Sequence, residues 1–353
     1  MAKLEKIRKQ LKNQGLDALL ITNPFNRRYL SGFTGSSGTL LVSLEQAILF
    51  TDFRYIEQAT NETNLFEIVE HKGSLLSEIT NQLNKYNIKR LGFEENDVSF
   101  KQFTQFNHTF DVELIPTSDI VENVRLIKTQ DELLILQEAA KIADNAFSEI
   151  LNYIKPGVKE IDVSNELERL MRAQGATSSS FDTIVASGYR GALPHGVASE
   201  KEIQTGELVT MDFGALYNGY CSDITRTIAV GEVNEELKKI YDVVLQAQLR
   251  GVSGVKAGIT GEEVDALTRD YITNEGYGDY FGHSTGHGLG SEVHENPRLA
   301  KGSKTILEEN MVVTIEPGIY VPNVGGCRIE DDIIVTNEGN IRLTHSKKEL
   351  IIL

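Results

Sequence analysis

The chain has 353 residues, which suggests about two domains with sizeable buried cores. With 40% hydrophobic and 24% charged residues, its composition is that of a globular protein and excludes disorder as the main state. The 51 acidic residues outnumber the 35 basic ones, and the net charge of −16 argues against nucleic acid or anionic membrane partners, which it would repel. The acidic excess either keeps the surface solvated or includes carboxylates gathered around a cation.

Membrane and secretory segments are not predicted. No run of about 18 apolar residues is present, and residues 1–20 carry charges throughout. The two cysteines, Cys221 and Cys327, are too few for a disulfide framework. We therefore predict a cytoplasmic protein with reduced thiols.

Helices and strands are predicted to alternate in the first third of the chain. Leu4, Ile7 and Leu11 recur at helical spacing and predict a helix over residues 3–14. The further predicted elements are a strand at 17–22, two strands within 40–51, a helix after Asp52, a strand at 66–70, a helix at 75–86, a strand at 90–93, a helix at 99–106 and a strand at 112–115. This alternation indicates a small α/β domain, followed by a linker at 116–124.

Longer helices follow the linker. Thr129 and Glu132 form a capping-box pattern, which predicts a helix to about Tyr153, and a second helix is predicted over 160–173. We place the domain boundary near this change. The predicted domains are residues 1–125 and residues 126–353.

The second domain contains an internal repeat. Residues 155–175 align without gaps to residues 256–276, and residues 209–214 align to residues 313–318 at nearly the same separation. Two matches in the same order favour an ancient duplication over chance. The duplicated unit would be helix, helix, strand, strand, and two facing copies predict a pseudo-two-fold domain with sheet inside and helices outside.

Four carboxylates occupy positions related by this repeat, and their flanks are apolar. They are Asp212 and Asp223 in the first copy, and Glu316 and Glu330 in the second. In the first copy, Asn218-Gly219 predicts a hairpin turn that puts Thr225 opposite Asp212 and Asp223 diagonal to it on the same face. Converging like charges need a partner. That partner is either an arginine, such as Arg226 or Arg328, or a binuclear metal site, which would explain the symmetry.

Histidines add to this pattern. Three of the seven lie in the glycine-rich segment 281–297, namely His283, His287 and His294. The glycines argue against a helical zinc motif, and the clustering favours function over three ordinary loop residues. His195 is a weaker signal.

Two other motifs resemble functional sites but are better explained as ordinary loops or turns. Residues 282–286 match the G-x-S-x-G pattern of serine hydrolases, but that elbow needs an apolar strand before it and a helix after it, and neither is predicted. The glycines at 32, 35 and 38 lack the spacing of a dinucleotide-binding loop and predict a turn.

These residues resemble the pita-bread metallopeptidases, in the aminopeptidase P and prolidase branch. The family's ligand order Asp, Asp, His, Glu, Glu reads here on Asp212, Asp223, His287, Glu316 and Glu330. Segments 29–38 and 49–59 are similar to the N-terminal domain of that branch. The resemblance implies an α/β (α+β) protein with a small creatinase/prolidase-like N-terminal domain and a C-terminal pita-bread catalytic domain.

The resemblance also implies a cofactor and ligand roles. Asp223 and Glu330 would bridge two divalent metal ions, Asp212 would complete one metal's shell, and His287 with Glu316 would complete the other's. Oxygen-rich ligands favour Mn2+, with Co2+, Fe2+ or Zn2+ as substitutes.

By the same resemblance, catalytic and substrate-binding roles fall on five residues. Glu316 would act as general base, while His195 and His294 would hydrogen-bond the developing oxyanion and the substrate. His283 would lie near the leaving residue, and Arg328 would bind substrate or orient a ligand carboxylate.

The implied substrate is a peptide with proline in second place, either an Xaa-Pro dipeptide or the N-terminus of a longer peptide, and the implied assembly is a homodimer. Two alternatives remain. One is a pita-bread aminopeptidase of other specificity, such as methionine removal. The other is a non-catalytic binding protein on this fold, which the complete ligand set disfavours.

Overall fold

The computed structural model describes residues 2–353. The chain divides into two compact units, Met1–Arg125 and Leu126–Leu353. Each unit has hydrophobic clusters of its own.

The N-terminal unit is a six-stranded mixed sheet between two apolar layers. Its elements are α1 Ala2–Gln14, β1 Ala18–Ile21, α2 Pro24–Ser31, β2 Thr39–Ser43, β3 Ala47–Thr51, a 3₁₀ turn Phe53–Tyr55, α3 Ile56–Glu62, β4 Glu67–Glu70, α4 Leu75–Lys85, β5 Arg90–Glu94, α5 Phe100–Thr109, β6 Glu113–Thr117 and α6 Glu122–Arg125. The strand order is β4-β3-β2-β1-β5-β6. Alternate residues of β1 contribute to different cores, Leu19 to one and Leu20 to the other, so both faces of the sheet are covered.

The predicted α/β character of this unit is confirmed, with two corrections. Helix α2 was not predicted, although Asn23 caps it and Pro24 occupies its first turn, which is a recognisable start signal. The predicted linker at 116–124 is wrong. Pro116 pairs with Phe93 in β6, an edge strand that tolerates a residue without an N–H, and the segment ends in α6.

The C-terminal unit has more and shorter strands. Its elements are α7 Gln130–Ile150, α8 Glu160–Ala173, β7 Ser178–Ser179, β8 Ile184–Ser187, a 3₁₀ turn Gly188–Ala192, β9 Glu207–Phe213, β10 Ala215–Tyr217, β11 Tyr220–Cys221, β12 Ile224–Val230, α9 Glu235–Gly254, α10 Gly261–Asn274, a 3₁₀ turn Gly278–Tyr280, β13 Gly286–Gly288, β14 Glu295–Leu299, β15 Val312–Ile315, β16 Gly318–Val321, β17 Gly325–Arg328, β18 Asp331–Val335 and β19 Asn340–Arg342.

The predicted duplication is confirmed by the order of these elements. In the first half, α7 and α8 precede strands that pair in the order β12-β9-β8. In the second half, α9 and α10 precede strands that pair in the order β18-β15-β13. Each half therefore contains two helices followed by a set of three strands in which each neighbouring pair is antiparallel, one strand more than the predicted unit, and β9 and β15 are the middle strands of these sets.

None of the helices among residues 2–353 combines the length and apolar character that crossing a bilayer would require.

Candidate metal centre

The first-half hairpin brings two of the four carboxylates together. Asp212 on β9 pairs with Thr225 on β12, and Asp223 lies just before β12, which is the predicted register. The chain turns at Asn218 and Gly219, whose φ angles of 48° and 83° suit the two-residue turn read from the sequence. Both carboxylates consequently lie at the same end of this hairpin.

The second half supplies the other two carboxylates at matching places. Ile315, the last residue of β15, pairs with Asp331, the first residue of β18, and Glu316 and Glu330 lie immediately outside this pair. The backbone N–H of Glu330 donates to the carbonyl oxygen of Thr225 at 3.1 Å, which ties the second half to the first. The side chain of Thr225 also donates to Glu330 Oε2, at 2.7 Å. The four carboxylates therefore meet where the two halves join.

His287 on β13 faces this junction. Its Nε2 lies 3.7 Å from Asp223 Oδ2 and 3.5 Å from Glu316 Oε1. Its Nδ1 lies 3.0 Å from the carbonyl oxygen of Gly288, so a proton on Nδ1 is satisfied there and Nε2 can act as a ligand. One donor atom each from Asp223, His287 and Glu330 fall within 4.8 Å of one another, a spacing compatible with a shared cation.

Several carboxylate oxygens at this place have no hydrogen-bond partner within residues 2–353. They are Oδ1 of Asp212, Oδ1 of Asp223, Oε1 of Glu330 and Oδ1 of Asp332. Buried polar atoms without a partner are rare because each has lost its water without replacement. Carboxylate oxygens without a hydrogen-bond partner are suitable ligands for a hard divalent cation. The residues present therefore fit the metal site that the sequence predicts.

The pKa values of these groups show that negative charge is unfavourable at this place. Burial, followed by the repulsion of neighbouring carboxylates, raises the pKa of Asp223 and of Glu330 well above the ordinary values. Burial also raises the pKa of Glu316 to about 8, although the nearby Arg328 opposes the rise. Without a cation, this cluster is a costly arrangement of buried acids.

The alternative of arginine pairing holds for one of the four carboxylates. Arg328 Nη2 lies 2.5 Å from Asp212 Oδ2, while the same guanidinium contacts the oxygens of Thr225 and Tyr320. Arg226 instead pairs with Asp331, at 2.7 Å. A single arginine beside Asp212 leaves most of the cluster's negative charge uncompensated.

The remaining predicted histidines surround the cluster. The rings of His294 and His287 meet edge to face with centroids 4.4 Å apart. Burial, then Arg328, lowers the pKa of His283 to about 4, and its Nε2 lies 2.8 Å from the hydroxyl of Tyr320. His195 is exposed. Burial is the main cause of the lowered pKa of His283 and of His294, and His195 is close enough to both to lower these pKa values further.

Two residues of this site were not predicted from the sequence. Tyr320 connects His283 to Arg328, with 2.7 Å between its hydroxyl and Arg328 Nη1. Asp332 is fully buried and its Oδ2 accepts the backbone N–H of Asp223 at 2.9 Å. The charge of Asp332 on a core strand was a usable signal, since isolated buried acids need partners, whereas a tyrosine on an apolar strand gives no such sign.

The segment that matches the serine-hydrolase motif does not form the strand–turn–helix structure that such a site requires. Ser284 lies between a 3₁₀ turn and the short strand β13, and no helix follows it as the elbow would require.

Comparison with known proteins decides the family. Residues 135–337 match metallopeptidase family M24, and residues 3–127 match the creatinase/prolidase N-terminal domain. The chain belongs to metallopeptidase family M24. The predicted resemblance is thus confirmed, and so are the predicted fold class and the assignment as a peptidase.

This metallopeptidase resembles named proteins over its whole length. The solved structure of an Xaa-Pro dipeptidase from Bacillus anthracis is 59% identical with a TM-score of 0.99, covering 100% of this chain and 99% of that one. The Xaa-Pro dipeptidase of Pyrococcus horikoshii is 43% identical over 99% of this chain and 98% of its own. The structure of an X-Pro aminopeptidase from Thermotoga maritima is 39% identical with a TM-score of 0.92, covering 98% of this chain and 100% of that one.

Proposed function

We propose that this metallopeptidase is an Xaa-Pro dipeptidase that works with two divalent cations. The observation that carries the proposal is the convergence of three buried carboxylates, the partly buried Glu316 and His287, with the three buried carboxylates each holding an oxygen without a partner within residues 2–353. The substrate class is supported by the names of two relatives that match this chain almost end to end.

The proposed ligands are the five residues of the predicted set. Asp212, Asp223, His287, Glu316 and Glu330 would hold the two cations, and His287 Nε2 already lies 3.7 Å from Asp223 Oδ2 and 3.5 Å from Glu316 Oε1. Mn2+ is the proposed cation because four of the five ligands are hard carboxylates, with Co2+, Fe2+ and Zn2+ as substitutes.

When bound, the cations supply Lewis acidity to the water and to the scissile carbonyl. In the proposed reaction the water oxygen attacks the carbonyl carbon of the first residue. Glu316 accepts the proton that this water loses and gives it to the proline nitrogen as the C–N bond breaks. His195 and His294 would donate hydrogen bonds to the oxygen that gains charge, and His283 would contact the proline residue.

Arg328 would serve this reaction by orienting Asp212. Its guanidinium donates to Asp212, to the hydroxyls of Thr225 and Tyr320, and to the carbonyl oxygen of Pro194. A direct contact between Arg328 and substrate stays a prediction.

The test compares substrates of different length. Purified protein, stripped with chelator and reloaded with Mn2+, is assayed on Ala-Pro, Ala-Pro-Ala, Met-Ala and Ala-Ala. The proposal expects turnover of Ala-Pro that depends on metal and little turnover of the peptides without proline. Preference for Ala-Pro-Ala would instead indicate the aminopeptidase, which one relative's name favours, and preference for Met-Ala would overturn the proline specificity.

The proposal extends to a cytoplasmic homodimer. Its support is the family resemblance and the small number of cysteines, Cys221 and Cys327. Light scattering during gel filtration would measure the assembly, and a monomeric mass would refute it.

A further inference from the structure

Glu160, in the first turn of α8, contacts both ends of the loop that carries His195. We infer that Glu160 is a positioning residue, which holds this loop against the metal centre so that His195 can meet the substrate. This inference rests on the proposed function for the role of His195, while the anchoring of the loop can be tested without it. The loop, residues 188–198, is called the His195 loop below.

The carboxylate of Glu160 is fully buried and takes donors from either side of the loop. At the start of the loop, Ser187 donates to Oε1 from its backbone N–H at 2.8 Å and from its hydroxyl at 2.9 Å. At the end of the loop, Ser199 donates to Oε2 from its N–H at 3.2 Å and from its hydroxyl at 2.6 Å. One side chain thus closes the loop at its base, as in compact surface loops whose two ends lie close together.

Arg190 extends this anchor into the loop. Its Nη1 pairs with Glu160 Oε2, and its Nη2 donates to the carbonyl oxygen of Val197 at 2.8 Å. The guanidinium therefore connects the anchor to both arms of the loop. Hydrogen bonds to a charged group are the stronger kind, so the four N–H and O–H donors together with Arg190 make Glu160 a substantial anchor.

The His195 loop has little apolar burial to hold it. Tyr189 is 62% exposed, and Leu193 and Val197 are each 51% exposed. Its other contacts include the close backbone packing of Gly191 against Gly326 of β17, a backbone bridge between Val197 and Ile184, and the bond from Arg328 to the carbonyl oxygen of Pro194, at 3.1 Å. The latter contact puts the residue before His195 against the arginine that binds Asp212. Because the large apolar side chains of the loop are exposed, the polar anchor is an important part of what holds the loop in place.

No proposed metal ligand lies in the His195 loop, and among residues 2–353 the hydrogen-bond and ion-pair partners of Glu160 are Ser187, Ser199 and Arg190 rather than any of the five ligands. Loss of the anchor should therefore weaken substrate binding more than metal binding. This separation distinguishes a positioning role from general damage to the centre.

The test uses Glu160→Gln, which keeps the shape and removes the charge. We expect KM for Ala-Pro to rise about tenfold, while the Kd for Mn2+ measured by titration calorimetry stays within about twofold. The matched control is Glu166→Gln on the same helix, whose carboxylate pairs with Arg169 at the surface, and this variant should keep the parent KM and Kd.

A second readout does not need the enzyme's activity. Release of Arg190 from Glu160 should expose the bond after Arg190 to trypsin, so Glu160→Gln should be cut there about tenfold faster than the parent and the Glu166→Gln control, as followed by mass spectrometry. If the parent does not cleave Ala-Pro, the proposed function fails, and this proteolysis still decides whether Glu160 holds the loop.

Two results would overturn the inference: parent-like KM and cleavage in Glu160→Gln, or a fall in Mn2+ affinity as large as the fall in kcat/KM. Should Glu160→Gln fail to fold, the double variant Ser187→Ala, Ser199→Ala removes only the two hydroxyl donors and is read in the same way, with faster cleavage after Arg190 supporting the anchor and an unchanged rate refuting it.

Discussion

Arg328 binds one oxygen of Asp212 and leaves the other without a partner. The Nη2 atom of Arg328 lies 2.5 Å from Oδ2 of Asp212, whereas Oδ1 finds no hydrogen-bond partner within residues 2–353. The arginine thereby fixes the orientation of the carboxylate, and the unpartnered oxygen stays available to a cation.

Arg328→Lys should weaken metal binding. Lysine keeps the charge but its single ammonium cannot reproduce the fork that contacts Asp212, Thr225 and Tyr320. We expect the affinity for Mn2+ and kcat/KM to fall by about 10- to 100-fold, as measured by titration calorimetry and hydrolysis of Ala-Pro. Arg250→Lys, at an exposed position on α9, is the control. Parent-like Mn2+ binding by Arg328→Lys would contradict the role given to Arg328.

Tyr320→Phe should separate substrate binding from metal binding. The hydroxyl of Tyr320 bridges His283 Nε2 and Arg328 Nη1, at 2.8 and 2.7 Å. Of the two hydrogen bonds that the His283 ring makes within residues 2–353, removal of this hydroxyl leaves only the contact to the carbonyl oxygen of Ser284. We therefore expect KM for Ala-Pro to rise by about three- to tenfold, the effect of one hydrogen bond. Mn2+ affinity should change little, since Arg328 keeps its contact with Asp212. Equal losses in Mn2+ affinity and in KM would show that Tyr320 acts through the metal ligands instead.

The convergence of the four carboxylates could be predicted from the sequence because it depends on the pairing register of strands that lie close together in the chain. The turn at Asn218 and Gly219 sets the pairing of Asp212 with Thr225, and the duplication repeats the arrangement at Glu316 and Glu330. The same register already argues against Arg226 as the partner of Asp212, because Arg226 pairs with Met211 and faces the other side.

The contacts made between the two halves could not be read in this way. Asp332, in the second half of the unit, accepts the backbone N–H of Asp223, in the first half. Such contacts depend on how the halves pack, and alternation of polar and apolar residues within one strand carries no information about that. Helix α2 is a different case, since Asn23 and Pro24 marked its start locally.

The stability of the metal-free protein should fall as the pH rises. The pKa of Glu316 is about 8 in the folded protein, against an ordinary value of 4.5. The folded state therefore holds a proton that the unfolded chain loses, so this contribution is complete below pH 4.5 and disappears as the pH rises through about 8. Asp223 and Glu330, whose pKa values are also raised, act in the same direction.

Thermal melts with chelator between about pH 6.5 and pH 8.5 should show a declining Tm, because the lowered pKa values of His283 and His287 act in the opposite direction only below that range. Saturating Mn2+ should reduce this decline by replacing the protons. Calorimetry in two buffers of different ionisation enthalpy should detect proton release on Mn2+ binding. A Tm that rises with pH without metal would contradict the raised pKa values.

Asp223→Asn should abolish activity and still stabilise the metal-free protein. The variant loses one of the proposed ligands, so kcat/KM should fall by at least about a hundredfold. Asparagine also replaces an acid that, in the folded protein without metal, must either keep its proton at pH 8 or carry a charge that burial and four neighbouring carboxylates disfavour. We therefore expect the free energy of unfolding with chelator at pH 8 to rise by about 1–2 kcal/mol. Asp242→Asn, exposed on α9, should change neither quantity. A less stable metal-free Asp223→Asn would mean that the cluster is satisfied without a cation.

Gly214→Ala should separate Asp212 from Asp223. A Cβ at Gly214 would lie 1.8 Å from the carbonyl oxygen of Ser222 and 2.3 Å from Ser180 Oγ. The backbone has little room to yield, because Ser222 exchanges hydrogen bonds with Ala215 through both its N–H and its hydroxyl. The alanine must therefore push the two strands apart at the point where the carboxylates converge.

We expect the free energy of unfolding to fall by about 3 kcal/mol, the upper range for overpacking, and Mn2+ affinity to fall at least tenfold. Urea denaturation and titration calorimetry measure the two effects. Gly339→Ala is the matched control, since a Cβ there meets nothing within 4 Å. If Gly214→Ala unfolded at the parent's urea midpoint and bound Mn2+ as the parent does, close approach of the strands would not be what brings Asp212 and Asp223 to a shared cation.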